Sequence, residues 1–183
     1  MRNLASAALL ALVATAFVDV HAAASQTNAR RANEIMTLFT KHKEVSKSKR
    51  GVTRERYKDV RAEPVVRSNL ESLSGTYEDQ GFGFVYRIRV DANGRVTGSG
   101  EEPIEEGVKR TFTLSNATVS GALIRGTKVY AGGRTQPLEG AFLNRISRES
   151  PADPGTSAFG LGIVGDFTFG QWMLNRIFLE RTR

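Results

Sequence analysis

The residues best placed to do chemistry are four glutamates in the stretch EEPIEEG: Glu101, Glu102, Glu105 and Glu106. Adjacent carboxylates can bind Ca²⁺ or serve as a general acid and base. This stretch lacks the Gly and Asp spacing of a calcium loop, so we expect a solvated acidic loop. No Gly-rich phosphate loop leads from a strand into a helix, and nucleotide chemistry therefore has no support.

Histidine and cysteine narrow the choice further. The chain has no cysteine and two histidines, His21 and His42. His21 lies near a predicted cleavage site, and His42 stands between Lys41 and Lys43, where we expect it to be solvated. Ser-His, Cys-His and histidine-ligated metal sites are therefore excluded from the rest of the chain. We expect the protein to bind no metal and no cofactor and not to be an enzyme. The alternative is an enzyme that uses carboxylates or tyrosines alone.

The first residues predict export. A short basic start is followed by the apolar run Leu4–Val18 and by small residues at Ala22–Ala24. This order is typical of a secretory signal peptide, which we place at residues 1–24. An uncleaved anchor is the alternative, but the run is shorter than the ~20 residues that a spanning helix needs. Without a cysteine to carry lipid, the predicted location is the periplasm or the exterior.

Charge divides the remaining chain in two. Residues 25–64 carry eleven Lys/Arg against five Asp/Glu, whereas residues 65–183 carry fourteen against thirteen. We therefore predict a basic arm over 25–64 and a nearly neutral domain over 65–183.

The arm has helical periodicity. Ala32, Ile35, Met36 and Phe39 form a narrow apolar stripe that predicts a helix over Ser25–Lys49. A second helix is expected over Thr53–Glu63, ended by Pro64. The basic residues favour contact with an anionic membrane surface, and a solvated spacer is the alternative. Nucleic acid has the least support, because few aromatic residues are interleaved and the protein is predicted to be exported. The residues predicted to contact the anionic surface are Lys41, Lys43, Lys47, Lys49 and Arg50.

The strongest structural pattern is a hairpin at Phe82–Gly98. Every second residue from Phe82 to Val90 is apolar, which predicts a strand with one buried face. Asp91–Gly94 predicts a tight turn, and Arg95–Gly98 begins the partner strand. The buried face is expected to be either core or the wall of a ligand pocket.

Similar short segments continue to the C-terminus. Nine strands are predicted between Leu73 and Glu180, with turns at Ser115–Asn116, Arg125–Gly126 and Gly132–Gly133 among others. The predicted fold is all-β: an antiparallel up-and-down barrel of about eight or nine strands, with a sandwich as the alternative. The acidic stretch and Ser147–Ser157 are expected to be longer loops at the barrel ends.

Two further patterns suggest ligand contacts. Gly160 and Gly162 leave one face of a predicted strand bare, so something large should approach it, either Trp172 or a ligand ring. The sequence LNRI occurs twice, and its Asn-Arg pairs either surround one polar feature or are coincidental. The candidate ligand-binding residues are Tyr77, Phe84, Tyr86, Asn144, Arg145, Trp172 and Arg176.

Gly75-Thr76-Tyr77, the hairpin that follows and a basic residue near the C-terminus resemble the calycin barrels, the avidin-like and lipocalin-like proteins. Those families begin with a Gly-x-Trp strand and end with a strand whose Arg or Lys packs on that Trp. The resemblance implies a barrel in which Arg176 or Arg181 packs on Tyr77. Tyr replaces Trp here, and the several tryptophans of a biotin pocket are missing.

We therefore expect an exported, non-catalytic binding protein of the cell envelope. Its ligand would be a small apolar molecule or a protein partner at the open end of the barrel. The alternative is an inhibitor or accessory factor of a secreted hydrolase that acts through a loop such as Ser147–Ser157.

Overall fold

A computed structural model describes residues 23–42, 59–79, 81–148 and 152–182. The predicted signal peptide lies almost entirely outside these ranges. Lys43, Lys47, Lys49 and Arg50 of the predicted anion-binding set also lie outside the described residues. Within the described part of the chain, no helix is long and apolar enough to span a membrane.

The described chain contains one α-helix, α1, at residues 23–39, followed by ten strands. Short 3₁₀ turns occupy Leu70–Leu73 and Ala131–Gly133. The strands are β1 Lys41–His42, β2 Asp59–Pro64, β3 Gly75–Glu78, β4 Val85–Val90, β5 Arg95–Glu105, β6 Val108–Ser120, β7 Leu123–Tyr130, β8 Thr135–Arg148, β9 Thr156–Phe169 and β10 Trp172–Arg181.

The strands from β3 to β10 close into an antiparallel barrel, as the sequence predicted. Each pairs with the next along the chain, and β10 pairs with β3 to close the ring. The loops β3–β4, β5–β6, β7–β8 and β9–β10 form one end of the barrel, which we call the cavity end. The other loops and the Leu70–Leu73 turn form the opposite end.

The predicted hairpin is confirmed as β4 and β5. Val90 lies opposite Val96, and the Asp91 carboxylate accepts hydrogen bonds from the Asn93 and Arg95 amides, both at 2.9 Å. Gly94 has φ 78°, the left-handed conformation that the turn requires. Phe82 lies before the strand and is 38% exposed, so the buried face begins at Phe84.

The barrel has eight strands rather than the nine short strands predicted. The difference arises because Ser115–Asn116, predicted to be a turn, lies inside a single strand. Strand β6 continues through Asn116, which has φ 49°, as a bulge with a register shift against both neighbours. Gly126, predicted to be in a turn, lies inside β7, where a Cβ atom would come within 2.5 Å of the Ala117 side chain. The turn between these strands is at Gly121-Ala122.

The second predicted helix is wrong over residues 59–63, which form strand β2. β7 pairs with β8 only as far as Ala141. β2 pairs with the rest of β8, along the edge that is then free. Val60 and Ala62 of β2 are buried. The alternation of these two residues with Arg61 and Glu63 is typical of a strand with one buried face. The sheet therefore begins before residue 65.

Helix α1 lies on the outer surface of the barrel. Its predicted stripe is confirmed: Ala32, Ile35 and Phe39 are buried, and Met36 is packed beside them. The predicted extension to Lys49 is wrong, because the helix ends at residue 39 and Lys41–His42 pair with β2 as a strand. The Arg31 guanidinium also donates a 2.6 Å hydrogen bond to Glu139 on β8. The helix covers Ala62 of β2 and the barrel residues Ala122, Leu123, Ala141 and Leu143.

Side chains fill the barrel interior. Large residues with no more than 1% exposure come from strands all round the barrel, and the aromatic ones among them pack in tilted or edge-to-face pairs. They include Tyr77, Phe84, Tyr86, Phe142, Leu161 and Ile163.

Candidate functional site

A group of polar side chains lies inside the barrel near the cavity end. Glu102 on β5 is 1% exposed and Lys128 on β7 is 3% exposed. Both point inward because they continue the inward-facing alternation of their strands, from Val96 and Ile124 respectively. Residues 101–105 are strand, so the expectation of a solvated acidic loop is wrong for Glu102.

The Glu102 carboxylate accepts four hydrogen bonds. Oε1 accepts from the Lys128 ammonium at 2.8 Å and from the Tyr86 hydroxyl at 2.6 Å. Oε2 accepts from the Tyr130 hydroxyl at 2.7 Å and from Arg110 Nη2 at 3.2 Å. A buried carboxylate is tolerated only when its lone pairs are satisfied in this way.

Three aromatic rings lie near the Lys128 ammonium. Its Nζ lies 4.9 Å from the ring centre of Phe167 and 5.8 Å from those of Phe112 and Tyr130. The Arg110 guanidinium lies 4.6 Å from the Tyr130 ring centre. These contacts are within the range of cation–π attraction, which is strongest where water is excluded.

The surroundings shift the pKa values of the group. Burial alone would raise the pKa of Glu102, but Lys128 and the donated hydrogen bonds outweigh burial and lower it. Burial lowers the pKa of Lys128, and Glu102 opposes that change. Burial also raises the pKa of the Tyr86 and Tyr130 hydroxyls, so both remain donors. We therefore treat Glu102 and Lys128 as a charged pair.

A cavity of about 310 Å³ is open to the surface, and the buried Lys128 is one of the residues that line it. It lies where the β8–β9 ladder ends, at Glu139 opposite Val164. Beyond that pair, β8 continues beside β7 alone and β9 beside β10 alone, so the wall of the barrel opens. The lining residues are Lys128, Gln136, Pro137, Glu139, Val164, Gly165 and Asp166.

A β-bulge bends the β9–β10 hairpin at this opening. Gly165 and Asp166 together oppose Asn175, because Val164 pairs with Arg176 and Phe167 with Leu174. Gly165 has φ 150°, a conformation that L side chains rarely adopt. The tip of the hairpin is tied to β5, since the Gly170 amide donates a 2.7 Å hydrogen bond to the Ile104 carbonyl. The hairpin therefore bounds one side of the cavity.

Most of the predicted ligand residues do not line this cavity. Tyr77 and Phe84 are core residues, and the Tyr77 hydroxyl donates to the Leu73 carbonyl at 2.6 Å. Tyr86 alone belongs to the polar group. Trp172 is the first residue of β10, opposite Phe169. A Cβ atom on Gly162 would lie 2.7 Å from Phe39, so the side chain that approaches this glycine comes from α1.

The two Asn-Arg pairs do not surround one feature. Asn144 lies opposite Phe159 of β9 and Arg176 opposite Val164, five residues further along. That separation is about 16 Å along a strand. Arg145 faces the outside of the barrel, 5.0 Å from the Phe178 ring centre.

Arg181, rather than Arg176, is the basic residue of the last strand that lies near Tyr77. It is opposite Tyr77 in the β3–β10 ladder and donates hydrogen bonds to the Ser72 and Ser74 carbonyls at 3.0 and 2.8 Å. Its guanidinium lies 5.8 Å from the ring centre of Phe159, which packs edge-on against Tyr77.

Sequence reasoning missed Lys128, Tyr130 and Arg110, and it placed Glu102 in a loop. A signal was available, because Ile124, Lys128 and Tyr130 are separated by even numbers of residues and so share one face of a strand. Within the described residues, no three or more potential metal-ligating side chains come together.

Comparison with known proteins gives no match: no family model, no curated protein and no solved structure is detectably similar to this chain.

Proposed function

We propose that this chain is an exported binding protein that holds a small ligand at the cavity end of its barrel. The observation that carries the proposal is the opening between β8 and β9, whose lining includes the buried Lys128. Pockets of about 300–1,000 Å³ with a few convergent polar groups are typical of small-molecule sites. Export itself rests on the predicted signal peptide.

The lining favours a polar ligand over the apolar one expected from the sequence. The apolar centre of the barrel is occupied by protein side chains such as Tyr77, Phe84 and Phe142. The cavity instead presents Lys128, Gln136 and two carboxylates. A ligand there would be oriented by charge and hydrogen bonds.

A binding role also agrees with the state of Glu102. Each of its oxygens already accepts two hydrogen bonds, so neither is free to remove a proton from a substrate. A protein partner at the same end is a second candidate, because Phe82 is 38% exposed and Met173 is 78% exposed there. Kinship with the calycins, and contact of the basic arm with an anionic membrane, remain proposals from the sequence.

The test is to block the cavity. Asp166 lies on its rim and is exposed, so Asp166→Trp should obstruct the opening without entering the core. Thr168→Trp is the control, because Thr168 is exposed on the same strand but outside the lining. We expect the dialysable fraction of a periplasmic extract to raise the melting temperature of the wild type and of Thr168→Trp. Asp166→Trp should show no rise, and equal rises in all three proteins would contradict the proposal.

A further inference from the structure

The buried polar group contains two positive charges, Lys128 and Arg110, but only one negative charge, Glu102. Glu102 is paired with two cations, Lys128 and Arg110. The Arg110 side chain is 21% exposed and reaches water, whereas Lys128 is 3% exposed. A buried charge needs a compensating partner. Because Lys128 shares this one carboxylate with Arg110, an anion in the cavity would complete the compensation of the Lys128 charge.

The hydrogen-bonding capacity of Lys128 indicates the same. An ammonium group has three donors. Among the described residues, only Glu102 Oε1 accepts a hydrogen bond from Nζ. The Phe167 ring lies 4.9 Å from Nζ, and Lys128 also lines the cavity. A ligand oxygen at the inner end of the cavity would take up a donor that the protein leaves unused.

The rim of the cavity carries negative charge and so favours a cationic group. Of its two carboxylates, Glu139 is already engaged by Arg31 at 2.6 Å and by Arg125 at 3.1 Å. Asp166 is exposed, and no cation of the described residues lies within salt-bridge distance of it. The rim therefore offers an unused negative charge, while the inner end offers a positive one.

We propose that the cavity binds a small amphoteric molecule of the α-amino acid class, with its carboxylate on Lys128 and its ammonium group toward Asp166. The inference rests on the proposed ligand-binding function of this cavity. A volume of about 310 Å³ accommodates a molecule of that size.

The experiment is isothermal titration of the full-length mature protein with three sets of compounds. They are the free amino acids, their N-acetyl derivatives, which lack the ammonium group, and their methyl esters, which lack the carboxylate. We expect at least one free amino acid to bind. Both of its blocked forms should bind about 10- to 150-fold more weakly, which corresponds to the roughly 1.5–3 kcal/mol of a hydrogen bond to a charged group.

Two variants test the assigned residues. Asp166→Asn should weaken binding of the free amino acid but leave the N-acetyl form unchanged, and Glu105→Gln, an exposed carboxylate outside the lining, is its control. The double variant Lys128→Met with Glu102→Gln removes the inner cation without stranding the carboxylate, and it should abolish binding. If that variant does not fold, Asp166→Asn still tests whether the ligand ammonium contacts the rim carboxylate.

The outcomes separate the two proposals. Equal binding of free and blocked forms, or an unchanged affinity in Asp166→Asn, would overturn the amino-acid assignment. Absence of amino-acid binding, together with extract stabilisation that Asp166→Trp abolishes, would overturn only this inference. If the extract stabilises no form of the protein and no amino acid binds, both proposals are wrong.

Discussion

The Lys128 ammonium lies 2.8 Å from the Glu102 carboxylate inside the barrel, while the neighbouring Glu101 faces outward and pairs with Lys109 at 3.3 Å. Two ion pairs of the same residue types thus differ mainly in burial. Removing one partner of a buried pair leaves an uncompensated charge, which costs far more than losing an exposed pair.

This contrast predicts the stability of matched variants. Lys128→Met should lower the free energy of unfolding by about 3–5 kcal/mol, and Lys109→Met by no more than about 1 kcal/mol. Adding Glu102→Gln to Lys128→Met should recover part of the loss, because the buried carboxylate is then neutral and only the more exposed Arg110 loses its partner. Urea denaturation of the four proteins measures these values. Equal losses for the two lysines would mean that the inner pair is solvated.

Acid should destabilise the protein partly through Glu102. Its pKa is lowered in the folded state, so the unfolded chain binds more protons as the pH falls below about 4.3, the ordinary value. The stabilisation is fully present above that pH and is lost as the pH falls through the folded-state pKa. Free energies of unfolding between pH 7 and pH 3 should fall less steeply in Glu102→Gln. Glu101→Gln, whose carboxylate is more exposed, should change the slope less; the reverse order would contradict the assignment.

Phe84 tests whether the interior is filled. Its ring is 1% exposed and lies 5.5 Å from that of Phe167 in an edge-to-face pair. Phe84→Ala should leave a cavity and cost about 3–5 kcal/mol. Phe82→Ala removes a partly exposed ring and should cost under about 2 kcal/mol. Thermal melts measure both, and a small loss for Phe84→Ala would indicate a wall rather than a packed core.

The barrel could be predicted from the sequence because its strands carry local signals. Alternation from Phe84 to Val90 and the Asp91–Gly94 turn specify a hairpin without tertiary information. Strand β2 carries a weaker signal, because only Val60 and Ala62 alternate as buried residues and the segment follows a basic stretch without a turn signal. Its strand conformation comes from pairing with β8, a contact that lies about eighty residues away in sequence.

The candidate site was hidden for a related reason. A glutamate and a lysine are normally exposed, so a sequence pattern assigns Glu102 and Lys128 to the surface. They are buried because partners converge on Glu102 from three neighbouring strands, and this convergence depends on register. Bulges such as Gly165-Asp166 shift the register locally, and a single sequence does not reveal where they fall.

The basic arm makes a prediction that is independent of the barrel. Replacing Lys43, Lys47, Lys49 and Arg50 by Gln should weaken binding to vesicles that contain anionic lipid, since each such residue contributes about 1 kcal/mol near the surface. Binding should also weaken with salt, because the Debye length falls to about 3 Å at 1 M. Replacing exposed cations of the barrel, Arg87, Arg89, Arg95 and Lys109, is the control. Co-sedimentation that persists in the arm variant would exclude the arm as the contact.

The attachment of α1 depends on the fit of Phe39 against Gly162. A Cβ atom at Gly162 would lie 2.7 Å from the Phe39 ring, so Gly162→Val must displace the helix or the strand. We expect a loss of about 1–3 kcal/mol from this overpacking, although valine is by itself better suited to a strand than glycine. Phe39→Ala should cost about 3–5 kcal/mol, because the ring is 7% exposed. In the double variant the valine can enter the space that the ring vacates, so the combined loss should fall short of the sum by at least about 1 kcal/mol.

Leu38→Ala is the control, because Leu38 is 43% exposed; its loss should add to that of Gly162→Val without coupling. Strict additivity of the Phe39 and Gly162 variants in urea denaturation would show that the helix does not rest on this glycine.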